Sequence, residues 1–345
     1  MKISNLIHFI LLLSLAISCG EESNKATGWQ DLSSDIAPES RYESCSFYKE
    51  KENSMYIVGG LTSTTRYDDI WKYEISNNVW KPIVKPAGEE LKPGGRMNYC
   101  TYDEISDALY LYGISEGGNA SPSRILKWKL ASHTIEEVAA SNIPGTLRGH
   151  SLLLLKTGLP EPSLIIFGGE DAGGTKNNSI KIFGLNSKTF KELELTGNKP
   201  KERMFHTAAI SSDNKMIIIA GKSNIGQHND IWSFDFTTKT WTELLSDNKD
   251  ISTSSSSSFY NKKDNTILMY GGAKEGSSKF SSDLTSYDIS SKTLKVLESN
   301  AKPGELLGSS IIVTSLNELF IFAGNSINSK NEVVSNNKTW KNKLD

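Results

Sequence analysis

Residues 55–80 read MYIVGGLTSTTRYDDIWKYEISNNVW. A short apolar run, Met55 to Val58, ends in the pair Gly59-Gly60. An aromatic, Tyr73, follows, and Trp80 comes seven residues after it. The same order recurs along the chain. Apolar runs end at Gly113, Gly168-Gly169, Ala220-Gly221, Gly271-Gly272 and Ala323-Gly324. The first small residues stand at 59, 113, 168, 220, 271 and 323, at intervals of 54, 55, 52, 51 and 52. Steps this regular identify a repeat, and a repeat has to be recognised before any local structure is assigned.

Two further columns keep the spacing. Tyr73, Trp128, Phe183, Phe234 and Tyr287 each lie seven residues before a large apolar residue: Trp80, Ile135, Phe190, Trp241 and Leu294. The last copy is shorter and offers Val333 and Trp340. Arg41, Arg96, Arg148 and Arg203 open the first four copies, each ahead of an apolar stretch. Every unit therefore reads as four short strands separated by turns rich in Gly, Asn, Asp and Ser. No helical period is sustained after residue 19, so the expected class is all-β.

These columns resemble kelch repeats. The match rests on Gly59, Gly60, Tyr73 and Trp80, on Gly168 and Gly169, on Phe234 and Trp241, and on Gly271, Gly272 and Tyr287. The resemblance covers about residues 29–345 and implies a six-bladed β-propeller with four antiparallel strands per blade. The blades run approximately over 41–84, 96–138, 148–195, 203–245, 253–298 and 308–335. Either an N-terminal strand over 28–33 or a C-terminal one over 337–343, which holds Trp340, closes the last blade. The Gly pair fits a sharp turn at a strand end, where φ is positive. The aromatic columns fit packing between blades. Asp68, Asp69, Asp230 and Asp283 precede third strands and are expected to accept backbone hydrogen bonds there.

Among 345 residues, 38 are Lys or Arg and 40 are Asp or Glu, for a formal net charge of −2. Such a balance argues against nucleic acid as a partner. Residues 1–18 have the charge and apolar run of a signal peptide, and the run is too short for a stable membrane span. Leu15-Ala16-Ile17-Ser18-Cys19 resembles a bacterial lipobox, with Cys19 the lipidated residue and 19–27 a polar tether. Ala16 departs from that pattern. Gly20 after the Cys favours an outer-membrane address, and simple secretion is the alternative. The propeller is expected over 28–345, as a monomer outside the cytoplasm.

Arg41, Arg96, Arg148 and Arg203, with His206, are the candidate ligand-binding residues. Kelch units commonly carry Arg and then His here. Arg203 and His206 match that spacing, whereas Arg148 and His150 are one residue short. A partial ring of cations suits a carboxylate. The competing reading has each Arg satisfying carbonyls between blades, with its aliphatic stem packed. Glu43, Glu104 and His206 are the nearest acid or base candidates. Cys45 and Cys100 fall at matching places of neighbouring inner strands. An oxidising compartment would allow them to pair, but equivalent positions of adjacent blades are usually too far apart, so buried thiols are the expectation and a disulfide the alternative. Ser254–Ser258 is read as small residues lining a tight channel. No pattern calls for a metal or another cofactor. Loops over 61–68, 115–123, 170–178, 222–229, 273–282 and 325–330 are expected to cluster on one face.

The leading functional expectation is a non-enzymatic module at the cell envelope, binding a protein or carbohydrate through those loops. The alternative is a secreted sugar-processing enzyme resembling six-bladed kelch sialic-acid mutarotases or epimerases.

Overall fold

The structure is a computed structural model. It describes residues 28–84, 99–113 and 123–344, apart from 146, 196, 247, 249, 252, 253 and 298–302. Cys19 and Arg96, and with them the signal and lipidation expectations, lie outside the described residues.

Among the described residues there are six four-stranded antiparallel sheets, each a blade of a β-propeller. Blade 1 comprises Cys45–Lys49, Ser54–Val58, Ile70–Glu74 and Val79–Pro82. The first strands of blades 2 to 6 are Cys100–Asp103, Ser151–Leu155, Thr207–Ile210, Ser257–Asn261 and Ser310–Val313. Each first strand lies beside the first strand of the next blade, and Ser310–Val313 returns to Cys45–Lys49, which closes a ring around a central channel.

Second strands are buried on both faces. Ser54–Val58, Ala108–Tyr112 and Ser163–Phe167 are buried at every position. Continuous apolar runs such as Leu164-Ile165-Ile166 are what a strand covered on both sides requires. Outer strands are mostly exposed, with one buried residue in Val79–Pro82, Trp80, and one in Phe190–Glu192, Phe190.

The aromatic columns join blades. Trp80 lies 4.9 Å from Tyr73 in its own blade and 4.7 Å from Phe322 in blade 6, and its indole N–H donates to the Thr339 hydroxyl. Trp241 does the same between blades 4 and 3, at 5.0 Å from Phe234 and 5.3 Å from Phe167.

Blade 6 is built from both ends of the described chain. Gln30–Asp31 pairs outside Val333–Lys343, so Trp340 belongs to the third strand and the N-terminal strand is outermost. Trp29 is buried against Tyr270 of blade 5, at 5.5 Å between rings.

Pairing registers correct two sequence expectations. Cys45 faces Val58, one residue before Gly59, but Cys100 faces Leu111, two residues before Gly113. The two are therefore staggered by one position. Side chains alternate faces along a strand, so the stagger turns Cys45 of blade 1 and Cys100 of blade 2 towards one another. Their Cα atoms are 5.9 Å apart and a disulfide joins them, in place of the expected separate thiols.

The second correction concerns the Arg column. Arg41 and Arg203 precede Tyr42 and Met204, which bridge to Leu61 and Lys222. In blade 3 the residue paired in that way is Arg148 itself, opposite Glu170. Leu147 thus holds the place of Arg41 and Arg203, and His150 and His206 are equivalent to each other.

Candidate functional site

Arg41 and Arg203 do not enter the channel. Both are 0% exposed. Arg203 donates to both Asp230 carboxylate oxygens, at 2.6 and 2.8 Å, and to the carbonyls of Ala220 and Lys201. Arg41 repeats this with Asp69, at 2.5 and 2.8 Å, and with the carbonyls of Gly59 and Glu39. Burial opposes ionisation of Asp230, but the Arg203 guanidinium and the Trp232 indole N–H outweigh it and hold the carboxyl below its ordinary range. Asp69 and Asp230 are thus partners of arginines rather than acceptors of loop amides. Arg148 is exposed, with its guanidinium 5.4 Å from the Phe205 ring. Arg41 and Arg203 thus follow the competing reading, satisfying carbonyls, but within their own blades rather than between blades, and the partial cation ring is not assembled by these three. Without it, the sialic-acid reading loses its carboxylate clamp at Arg41 and Arg203.

Where blade 3 has Leu147 it also has Ser179 in the place of Asp69, each preceding its third strand. Beside them lies an open cavity of about 410 Å³, lined also by Asn177, Asn178, Lys181 and Lys199.

The channel itself is lined by residues of all six blades. Its cavity, about 250 Å³, is bounded by Glu43, Tyr99, His150, His206, Phe205 and a series of serines. Ser255, Ser256, Ser257 and Ser258 all reach it, which places the serine run on the channel wall.

A ring of backbone bonds frames its mouth. The N–H of Glu43 donates to the Gly308 carbonyl, that of Gly308 to Ser255, that of Ser255 to Phe205, and that of Phe205 to Gly149. All five have positive φ: 52° at Glu43, 73° at Gly149, 56° at Phe205, 54° at Ser255 and 63° at Gly308. A left-handed residue costs a non-glycine side chain roughly 1–2 kcal/mol, yet Glu43, Phe205 and Ser255 keep side chains on the cavity wall. In blade 2 the Tyr99 hydroxyl accepts the Gly149 N–H.

One residue further along each strand stand Ser44, His150, His206, Ser256 and Ser309. Side chains at this level bond to the neighbouring blade. Ser44 meets the Ser310 hydroxyl at 3.1 Å, Ser309 meets Ser257 at 2.7 Å, and His206 Nε2 meets Ser151 at 3.1 Å. His150 lacks the equivalent bond because Tyr99 occupies the position of the small hydroxyl and packs its ring, tilted by 33°, against the imidazole at 4.0 Å. His150 is 4% exposed, and neither nitrogen makes a well-formed hydrogen bond among the described residues, although the Leu147 backbone lies beside the ring. Burial pushes both imidazoles down to about 3, with Arg203 adding to the effect at His206. Both rings are therefore neutral at ordinary pH.

The repeat glycines fit this level. The second of each pair has φ near 100° in blades 1, 4 and 5, and a Cβ on Gly221 would lie 2.9 Å from the His206 Cβ. The first position, φ 58° at Ala220 and 61° at Ala323, accepts alanine. Alanine accordingly stands at the first position in blades 4 and 6, while the second position there is glycine.

The other end of the channel is crossed by charges. Glu104 of blade 2 lies 3.5 Å from Lys156 of blade 3 and 3.4 Å from Lys262 of blade 5, which stands opposite it on the ring. Glu104 is therefore remote from Glu43 and His206, which share the cavity. Among the described residues no group of three or more His, Cys, Asp or Glu is placed to hold a metal ion.

The fold defines a β-propeller whose scaffold is held by buried Arg–Asp pairs and inter-blade aromatics. A family model described as the KLHDC2/KLHL20/DRC7 Kelch-repeats domain matches residues 100–324, and the Kelch motif matches residues 52–86. The chain belongs to the kelch-repeat family. It is 23% identical over 55% of its length to acyl-CoA-binding domain-containing protein 5 of Arabidopsis thaliana, of which the match covers 30%. It is 26% identical over 58% of its length to multiple epidermal growth factor-like domains protein 8 of Mus musculus, covering 7% of that chain. It is 23% identical over 59% of its length to the human Rab9 effector protein with kelch motifs, covering 54% of it. The chain thus spans only a part of these relatives.

Proposed function

We propose that this propeller is a protein-docking module that works outside the cytoplasm, through the face formed by the loops between second and third strands. The observation that carries the reading is how firmly those loops are held. Backbone bridges tie them to the start of the first strand at Tyr42 and Leu61, Arg148 and Glu170, Met204 and Lys222, Ser254 and Ala273, and Leu307 and Asn325. Loops fixed before binding lose little freedom on association. Two of them extend as hairpins: Lys222–Ser223 with Gly226–Gln227, and the ends of Glu318–Ile327 and Val333–Lys343. Their tips expose Ile225 and Val333, apolar side chains suited to a protein surface. Kelch propellers generally bind proteins, and the human relative is named for an effector role towards Rab9.

The extracytoplasmic part rests on two features. Residues 1–19 have the pattern of a lipoprotein signal, with Cys19 as the acylated residue. The Cys45–Cys100 disulfide suits an oxidising compartment.

A photo-reactive residue at Ile225 tests the docking face, with one at Leu316, in a turn on the opposite face, as control. Discrete adducts from 225 and none from 316 are expected in cells. Adducts from 316 alone, or from neither, refute the reading. Mass spectrometry of the mature N-terminus checks the anchor, for which a diacylated Cys19 is expected.

A further inference from the structure

We propose that the channel cavity is a binding site for a small, uncharged, polyhydroxylated ligand of the monosaccharide or cyclitol class. This goes beyond the docking face and does not depend on it.

Size is the first constraint. The cavity of about 250 Å³ lies just below the usual range for ligand pockets, roughly 300–1,000 Å³. It suits one sugar-sized ring and not a folded peptide. Glu104, Lys156 and Lys262 cross the far end, so entry is from the mouth framed by Glu43, Phe205 and Ser255.

Chemistry is the second. The wall is built of hydroxyls already joined in pairs. In a pair such as Ser44 with Ser310, one hydroxyl donates to the other, and the second keeps its own proton to offer. No arginine or lysine lines the cavity among the described residues. Nothing on the wall is therefore arranged to clamp a carboxylate or phosphate.

His150 selects among the remaining classes. Its ring is more than nine-tenths buried at the cavity wall, and neither nitrogen makes a well-formed hydrogen bond among the described residues, the Leu147 backbone being its polar neighbour. A neutral imidazole donates at one nitrogen and accepts at the other. A carboxylate only accepts, whereas a hydroxyl both donates and accepts, and the Glu43 carboxylate on the same wall can accept from a hydroxyl. The ring is held at the cavity wall between Tyr99 and Tyr112, at 4.0 and 5.3 Å. Phe205 and Tyr99 add apolar carbon to the same wall.

Ala208 lines the same cavity and uses no side-chain hydrogen bond, so Ala208→Leu fills the space without breaking the belt. Calorimetric titration of the full chain with D-galactose, N-acetyl-D-glucosamine and myo-inositol, at up to about 10 mM, is the test. D-glucuronate and D-glucosamine serve as charged counterparts. At least one neutral probe should bind, and its affinity should fall at least tenfold in Ala208→Leu and at least tenfold for the charged counterparts. The His150 ring nitrogen resonances should move on binding. The proposal is overturned if no neutral probe binds, if a charged counterpart binds as well or better, or if Ala208→Leu binds like the parent with unmoved His150 resonances.

Discussion

The Arg203 guanidinium meets the Asp230 carboxylate through two bonds, at 2.6 and 2.8 Å, with the arginine wholly out of solvent. Removing one partner leaves a buried charge, which costs about 3–5 kcal/mol. Blade 3 shows the apolar solution, Leu147 with Ser179. Arg203→Leu and Asp230→Ser should each lower stability by that amount, while the double replacement should recover at least half. Urea unfolding of the four proteins forms the double-mutant cycle. A double variant as unstable as the sum of the singles would show that the pair is not the source of the loss.

The buried imidazoles make stability depend on pH. The His150 pKa falls from 6.5 to about 3 because burial disfavours the charged ring. The unfolded chain therefore takes up a proton that the folded chain refuses. Stability is complete above about pH 6.5 and declines as pH falls towards 3. The loss should be on the order of a few kcal/mol. Melting temperature followed from pH 8 to pH 4 should drop, and His150→Phe should flatten part of that slope.

Reduction of the Cys45–Cys100 bond, which closes a loop of 55 residues, should cost roughly 4 kcal/mol by chain-entropy reasoning. Melting with and without dithiothreitol measures it. The doubly substituted Cys45→Ser, Cys100→Ser chain should match the reduced parent and no longer respond to the reductant.

At the repeat glycines the two positions should behave differently. Gly221→Ala brings a Cβ to 2.9 Å from His206 at φ 100° and should lower stability by about 1–3 kcal/mol. Ala220→Gly meets no such contact and should cost under about 1 kcal/mol. Thermal unfolding of both variants reads the difference.

The scaffold was legible in the sequence because its columns report backbone needs that recur in every blade. Gly60 and Gly169 mark the strand end, and Trp80 and Trp241 mark the surface against the preceding blade. The candidate site was less so. Arg148 looked like a member of the Arg column because it precedes an apolar strand, yet a one-residue shift, which the short spacing to His150 reflects, puts Leu147 there. The same kind of shift hid the Cys45–Cys100 bond, since spacing from Arg96 gave both cysteines one register. The left-handed ring at the channel mouth was hidden for a different reason. Gly149 and Gly308 hint at it, but Glu43, Phe205 and Ser255 adopt it despite their side chains. Only pairing between blades reveals what holds them.

The sixth blade has a mechanical consequence. Gln30 and Asp31 are held by pairing with Lys341 and Trp340, and Leu32 adds one bond to Thr339. Any tension transmitted along the chain from before residue 28 therefore reaches the outermost strand first, where the fewest bonds resist it. Pulled from that side, the disc should yield at its seam, exposing the long edge of Val333–Lys343 while the other five blades are still folded.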